Sequence, residues 1–331
     1  MKNRNVVKQD HKLINARYKL NNSEIKFILI AIAQIDKNDD ELKEYEIKVS
    51  ELEEKFQTKQ NETILKQFRD EIFVVKYGGS AQNEQELKEK FAQDILLMYL
   101  VGIKPVIVHG GGKKITSVLN RLNIPTSFID GQRVTTEEVM EIVEMVLSGD
   151  INKEIVSLLN NHGAKAIGIS GKDANFISAK PKDFEKFGYT GEITKIDPRV
   201  VYNLLNEKFI PVIAPIAASS KLSHPGYNIN ADLAASKIAV ALKAKKIIFL
   251  TDTPGVLDKE KNLISSLNKE EIEKFKKDRT ISGGMIPKVD ACLEAIDGGV
   301  KKAHIIDGRV EHSILLEIFT SSGIGTQIVG E

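Results

Sequence analysis

From residue 72 to the C-terminus, short apolar runs alternate with longer stretches of helical periodicity. Ile72-Phe-Val-Val75 is four apolar residues long and rich in β-branched side chains, which predicts a short buried strand. It ends on Lys76 and then Gly78-Gly79, and a helical pattern starts near Asn83, a good N-cap. Pro105-Val-Ile-Val-His109 repeats the layout, running into Gly110-Gly111-Gly112 and a helix near 113–122. Residues 137–161 read as helix, Ala166–Ile169 as strand, 175–196 as hairpins and Phe209–Ala214 as another strand. Asn228-Ile-Asn-Ala-Asp232 opens an apolar helix to about Ala244. Lys246–Leu250 is a strand ending on the turn Thr251-Asp252-Thr253-Pro254-Gly255, and Ser282-Gly283-Gly284-Met285 leads into a helix carrying Lys288. Ala303–Ile306 and Thr326–Val329 are the last strands. Alternation of this kind predicts an α/β sheet covered on both faces.

The first 68 residues read differently. Residues 25–35 predict a buried helix capped by Asn22 or Ser23, Tyr45–Val49 alternates as a half-buried strand, and Ser50 caps a charged helix with Glu53 at the capping-box position. Residues 57–63 have no apolar anchor and form a junction. This predicts a small mixed α/β segment ahead of the larger domain.

Composition narrows the class. The 331 residues are 42% hydrophobic and 28% charged with net charge +1, so the chain can bury a core and exerts no bulk pull on nucleic acid or membrane. Cys292 is the only cysteine, which excludes an intrachain disulfide and a cysteine zinc site and fits a reducing cytoplasm. No apolar run reaches ~18 residues, so no membrane span is expected.

Two strand–glycine–helix turns, at 76–80 and 109–113, present backbone N–H groups and helix N-termini to an anion. Neither is a P-loop, since Lys114 follows Gly112-Lys113, and Ile115 occupies the third glycine position of a dinucleotide fingerprint. His109 reads first as a packed, hydrogen-bonded histidine, and Lys113 and Lys114 as solvated surface residues. Arg133, in a turn before a short strand, has the fork to grip a carboxylate, with a plain surface arginine as the alternative. Asn228, Asn230 and Asp232 crowd a helix start, where an N-cap cluster is the simpler reading. The chain offers no Ser–His–Asp order, no cysteine nucleophile and no metal-ligand cluster. Two lysines, two backbone cradles and a helix-start aspartate suit phosphoryl transfer, which needs positioning and charge neutralisation. A carboxylate acceptor is already ionised at neutral pH and needs no base.

The motifs Lys76-Tyr-Gly-Gly-Ser80, Val108-His-Gly-Gly-Gly112, Asp130-Gly-Gln-Arg-Val-Thr135, Ser170-Gly-Lys-Asp173, Asn228–Asp232, Leu250–Asp258 and Gly283–Lys288 stand in the order that resembles the acetylglutamate kinases of the amino-acid kinase family. The resemblance runs from about 69 to 330; the Lys113-Lys114 pair departs from it, where many relatives carry proline and an acidic residue. It implies an open αβα sandwich with a mainly parallel central sheet, an acceptor-binding lobe at 69–215 and an ATP-binding lobe at 216–331. It implies a transferase that moves the γ-phosphoryl group of MgATP to the γ-carboxylate of N-acetyl-L-glutamate. Lys76 and Lys288 would be catalytic with Asp232 orienting them. Gly79, Gly111, Gly112, Arg133, Asn228 and Asn230 would bind the acceptor and phosphate. Thr251, Asp252, Thr253, Pro254, Gly255 and Val256, with Ser282, Gly283, Gly284 and Met285, would hold the nucleotide. No prosthetic group or protein-held metal is implied. A kinase acting on glutamate, aspartate or carbamate is the alternative.

Two further resemblances lie at the ends. His304-Ile-Ile-Asp-Gly-Arg-Val-Glu-His-Ser-Ile-Leu-Leu-Glu317 with Gly323-Ile-Gly-Thr326 resembles the signature of arginine-inhibited members, which implies an L-arginine site at His304, Glu317 and Gly323. A lone exposed helix charge is the alternative for Glu317. Only Ile64-Leu-Lys-Gln-Phe-Arg69 resembles the end of the N-terminal helix that joins such kinases into hexamers, so a homodimer is expected and weakened inhibition with it. Residues 11–24 and the helix after them resemble the opening of plasmid replication-initiator proteins, which implies a DNA-binding alternative. With 1–20 basic and 36–54 acidic, no continuous positive face follows and DNA binding is not expected.

Overall fold

A computed structural model describes residues 68–330, apart from 83, 222–223 and 321–322. The elements read from residues 1–67, the hexamer-helix remnant before Phe68 and the cap at Asn83 lie outside the described residues. The strands are β1 Ile72–Tyr77, β2 Lys104–His109, β3 Phe128–Ile129, β4 Gln132–Arg133, β5 Ala166–Ser170, β6 Ile177–Pro181, β7 Gly191–Ile196, β8 Ile210–Ala214, β9 Ile216–Ala217, β10 Tyr227–Asn228, β11 Lys246–Thr251, β12 Ser266–Leu267, β13 Lys302–Asp307 and β14 Thr326–Val329. Eight of them form one sheet in the order β12-β14-β13-β11-β1-β2-β8-β5. Every pair in it is parallel except β13 with β14.

The period-two alternation of each central strand splits the core into two layers. On β1, Phe73, Val75 and Tyr77 pack on one face and Val74 on the other. Ile248 and Leu250 of β11 join the first layer, and Ile247 and Phe249 the second. The first layer is closed by the helix Gln85–Leu100, the helical run from Glu137 to Asn161 and the helix Ser313–Phe319. The second is closed by the helices Arg199–Asn206, Ala231–Ala241 and Ile286–Asp297. Lys76 falls on the face of Val74, and so on the side where the helix Ala231–Ala241 begins. This is the open αβα sandwich with a mainly parallel sheet.

Several details differ from the sequence reading. The helix after β1 starts at Gln85, with Glu84 at the N-cap and no side-chain capping bond. The run 137–161 is interrupted by a π-helical stretch, Met145–Ile151, between the helices Glu137–Glu144 and Asn152–Asn161. Residues 175–196 form one hairpin, β6 with β7, joined through a short helix at Phe184–Phe187. The helices Arg199–Asn206 and Lys269–Lys277 have no counterpart in the sequence reading, which has a helix at Glu317 only as the alternative there; that helix is Ser313–Phe319. The last is tied to the first layer by Asp94. Its carboxylate sits 2.6 Å from Nδ1 of His312 and accepts the Ile314 N–H at 3.2 Å, with Asp94 and His312 both buried. Among the described residues no helix is long and apolar enough to cross a membrane.

Candidate active site

A cavity of about 500 Å³ lies at the carboxyl ends of β1, β2 and β8, the place where open α/β sheets bind ligands. Lys76, Gly79, Gly111, Gly112, Arg133, Asn228, Asn230 and Asp232 all line it. Residues far apart in sequence thus meet at one cavity.

At its floor Asp232 lies between two lysines. Oδ1 faces the Lys76 ammonium at 3.0 Å as an ion pair, and Oδ2 accepts a hydrogen bond from Lys288 at 3.1 Å. Asp232 is 9% exposed and Lys76 8%. Burial alone would raise the Asp232 pKa, but the two ammonium groups outweigh it and hold the carboxyl below the usual 3.8. The carboxylate therefore stays charged and fixes both cations, one from a strand end and one from the helix Ile286–Asp297. Asn230 supports it from below. Its side-chain oxygen accepts from the N–H groups of Asp232 and Leu233 at 2.9 and 3.1 Å, the N-cap of the helix Ala231–Ala241. The capping reading holds for Asn230, whose oxygen is committed to the backbone.

The glycine turns crowd against this floor. A Cβ at Gly78 would lie 2.6 Å from Lys76 Nζ, so a side chain there would push the ammonium aside. Gly79 has φ +72, and a side chain there would run into the Asp252 carboxylate. Gly111 is packed against Leu147 and Ile151 of the π-helical stretch, with no space for a Cβ. Gly112 opens the helix Gly112–Arg121. The Gly110 N–H donates to Tyr77 O at 2.9 Å and locks the two turns together. His109 is fully buried and hydrogen-bonded, and burial pushes its pKa down to about 4, so it is a neutral, packed histidine, as read from the sequence.

Arg133, on the same cavity, is 6% exposed. Its guanidinium donates to Thr126 Oγ1 at 2.6 Å, Gly112 O at 3.0 Å and Thr116 Oγ1 at 2.8 Å, and stacks over Phe128 at 4.6 Å. No carboxylate among the described residues pairs with it. The surface-arginine alternative is excluded. Asn228 donates to Thr135 Oγ1 at 3.1 Å. Lys113 and Lys114 are exposed, with Lys114 3.0 Å from Asp150.

The residues read as a nucleotide set do not line this cavity. Thr251 ends β11, and the following turn is held by Thr326, whose hydroxyl accepts the Val256 N–H at 2.8 Å and donates to Ile264 O at 2.6 Å. Val256 itself is core, 1% exposed. Pro254 and Gly255 shape the turn, and Thr253 Oγ1 is buried without a hydrogen-bond partner among the described groups. Asp252 reaches back toward Gly79 and, at 4.0 Å, Lys113, so the turn borders the β1 glycines. Ser282 and Gly283-Gly284 are exposed, and Met285 ends the 3-10 turn from which the Lys288 helix starts. The C-terminal set does converge. Glu317 Oε1 lies 2.6 Å from His304 Nδ1, and Oε2 accepts the N–H groups of Ile324 and Gly325 at 2.7 and 3.0 Å. Gly323, at φ +61, faces the same carboxylate. Glu317 is 7% exposed, so it is not a lone surface charge. Among the described residues no group of His, Cys, Asp and Glu is arranged to hold a metal.

The sequence reading missed part of the lining. Lys88 pairs with Glu154 across the rim, and Leu147, Ile151 and Ile155 form an apolar wall. A pair 66 residues apart leaves no signal in a single sequence.

Two lysines on one carboxylate beside glycine cradles, with a parallel sheet beneath, suit phosphoryl transfer. Residues 71–307 match the family described as Amino acid kinase family, and the chain belongs to that family; it is a phosphotransferase enzyme that uses ATP as substrate. It is 81% identical over 266 residues to acetylglutamate kinase of a Nitratiruptor species, covering 80% of this chain and 94% of the relative. It is 70% identical over 264 residues to acetylglutamate kinase of a Sulfurovum species, covering 80% and 93%. The fold is shared with N-acetylglutamate synthase from Neisseria gonorrhoeae complexed with coenzyme A and N-acetyl-glutamate, at TM-score 0.73 and 23% identity over 82% of this chain and 62% of that one. It is shared too with carbamate kinase from Giardia lamblia bound to AMP-PNP, at TM-score 0.61 and 18% identity over 79% and 99%. Residues 6–91 match a second family, Initiator Replication protein, WH1. That match runs past the first 60 residues into β1, which is a central strand of the kinase sheet, and the helix Gln85–Leu100.

A pH test isolates the Asp232 bridge. A depressed folded pKa contributes stability above the unfolded value, and that stability is lost as pH falls through the folded pKa. Asp232→Asn, which leaves two cations facing an amide, should cost about 3–5 kcal/mol of unfolding free energy at neutral pH. In urea titrations the gap between wild type and variant should be flat above about pH 5 and shrink below about pH 4. A gap that is independent of pH would contradict the charged bridge.

Proposed function

We propose that the cavity transfers the γ-phosphoryl group of ATP to the γ-carboxylate of N-acetyl-L-glutamate, the acetylglutamate kinase reaction of L-arginine biosynthesis. The observation that carries the assignment of roles is that Arg133, Lys76 and Asp232 line one cavity, with Lys288 bound to Asp232 from outside that lining. A buried guanidinium without a carboxylate partner is a ready site for the substrate's α-carboxylate. Asn228, beside it, has the donors and acceptor for an acetamido group. The γ-carboxylate oxygen attacks the terminal phosphorus of ATP, the bond to the β–γ bridging oxygen breaks, and ADP leaves. No proton moves, so no general base is required, and none is needed from Asp232. Lys76 and Lys288 meet the charge that spreads over the phosphoryl oxygens in flight. The N–H groups of Gly79, Gly111 and Gly112 add neutral donors.

The nucleotide is assigned to the half of the chain from 216 to 331, along the turn 251–256 and the glycines at 282–285 that precede Lys288. The buried, unpaired Thr253 hydroxyl and the exposed glycines support it. Mg2+ would arrive on the phosphates of ATP, consistent with its preference for phosphate and water over an all-protein cage. The acceptor belongs mainly to the half from 69 to 215, with Asn228 contributed by the other half, and residues 1–68 are read as a separate initiator-like segment.

L-Arginine is proposed as an effector at His304, Glu317 and Gly323. The support is the buried carboxylate held between an imidazole and two backbone N–H groups, an arrangement a guanidinium could enter by displacing His304. A dimer, with the effector site uncoupled from catalysis, fits the limited resemblance to the hexamer helix. Arginine should raise the melting temperature of the wild type and leave that of Glu317→Gln unchanged, with little inhibition of turnover. Full cooperative inhibition in a hexamer would refute the uncoupling.

The reaction is tested by trapping the acyl phosphate with hydroxylamine. Hydroxamate should form with acetylglutamate and not with free glutamate, aspartate or carbamate. Arg133→Lys should raise KM for acetylglutamate about 10-fold or more with KM for ATP unchanged, because lysine cannot make the paired contact. Turnover of free glutamate alone, or a loss confined to ATP, would overturn the assignment.

A further inference from the structure

We propose that His109 is a positioning residue: it holds the peptide between Gly110 and Gly111 so that the Gly111 N–H faces the cavity. The inference rests on the reading that this N–H meets the phosphoryl group or the acceptor.

His109 has no exposed surface and no route to a substrate. Its hydrogen bonds define one tautomer. Nδ1 lies 3.0 Å from Gly110 O, which can only accept, so Nδ1 carries the proton. Nε2 lies 3.2 Å from Asn152 Nδ2, which can only donate, so Nε2 is bare. Asn152 is itself oriented. Its Nδ2 also donates to Val212 O at 2.9 Å, and its Oδ1 accepts from Lys153 Nζ at 3.1 Å. Gly168, opposite Val212 in β5, has no side chain because a Cβ would overlap the Asn152 amide. A chain of fixed donors thus runs from the sheet through Asn152 and His109 to the Gly110 carbonyl.

In a planar trans peptide the carbonyl and the next N–H point in opposite directions. Holding Gly110 O toward buried His109 therefore turns the Gly111 N–H away from the core. Gly110, Gly111 and Gly112 line the cavity on that side. Glycine peptides rotate easily, so this one needs an anchor. Gln82 Nε2 is 3.5 Å from the same carbonyl and is a weak substitute. Asn152 is also the first residue after the π-helical stretch whose Leu147 and Ile151 pack on Gly111. The same anchor therefore fixes the peptide and the apolar wall behind it.

The test compares two substitutions. Asparagine places an amide nitrogen where Nδ1 of histidine sits, so His109→Asn keeps the donor to Gly110 O and gives up the Asn152 contact. His109→Leu gives up both. His109→Leu should lose kcat by about 100-fold with KM for acetylglutamate changed less than about threefold, since a misplaced transition-state donor costs that much. His109→Asn should recover most of kcat while melting as early as His109→Leu. A purely structural histidine would make kcat follow melting temperature in both. Should His109→Leu not fold, ¹⁵N spectra of the wild-type histidines still decide. A protonated Nδ1 and bare Nε2 support the anchor, and the opposite tautomer overturns it. Hydroxamate formation by the wild type tests the underlying reaction separately, and the tautomer can be read whatever that assay gives.

Discussion

Everything at this site depends on one carboxylate shared by two ammonium groups. Asp232 is buried, and a buried carboxylate survives as an anion only if its surroundings repay the lost hydration. Here Lys76 and Lys288 do so from opposite sides at 3.0 and 3.1 Å. The same pairing keeps two like charges close together, which neither lysine could tolerate without the anion between them. What results is a pair of cations fixed on one anion. That is the arrangement phosphoryl transfer demands, because its transition state offers little for a protein to do except position and neutralise.

The bridge in turn depends on the sheet. β1 lies between β2 and β11, and its alternation sends Val74 and Lys76 to the face of the helix Ala231–Ala241. A one-residue register slip would put Lys76 among Phe73, Val75 and Tyr77 in the other layer, with its charge unpaired. The helix start is fixed independently by the Asn230 cap, so Asp232 arrives at a set height. Two local rules, strand alternation and helix capping, therefore deliver the partners from positions 76 and 232.

Much of this was legible in the sequence because the signals are local. Ile72–Val75 and Pro105–His109 read as strands from their apolar runs, and the glycines after them as cradles. The resemblance of seven ordered motifs then gave the roles that spacing could not. What escaped reading was set by tertiary contact. The π-helical stretch at 145–151 is only seven residues inside a longer helical run, too short for its wider i→i+5 turn to show as a period of its own. Ser313–Phe319 is buried on every side, so it lacks the polar stripe that marks a helix. Glu317 looks like a surface charge in that run, and only the fold shows His304 and two N–H groups around it. Lys269–Lys277 is a different case, since Asn268 and Glu271 form a capping box that the sequence displays openly.

The central claim is that the two lysines serve the transition state more than the bound substrates. The most direct measurement is the affinity of a transition-state mimic, MgADP with aluminium fluoride and acetylglutamate, for the wild type and for Lys76→Ala and Lys288→Ala. Each substitution should weaken the mimic by about 100-fold or more while changing the Kd of MgATP by less than about threefold. Equal losses for the mimic and for MgATP would contradict the account, because the lysines would then be holding the nucleotide alone.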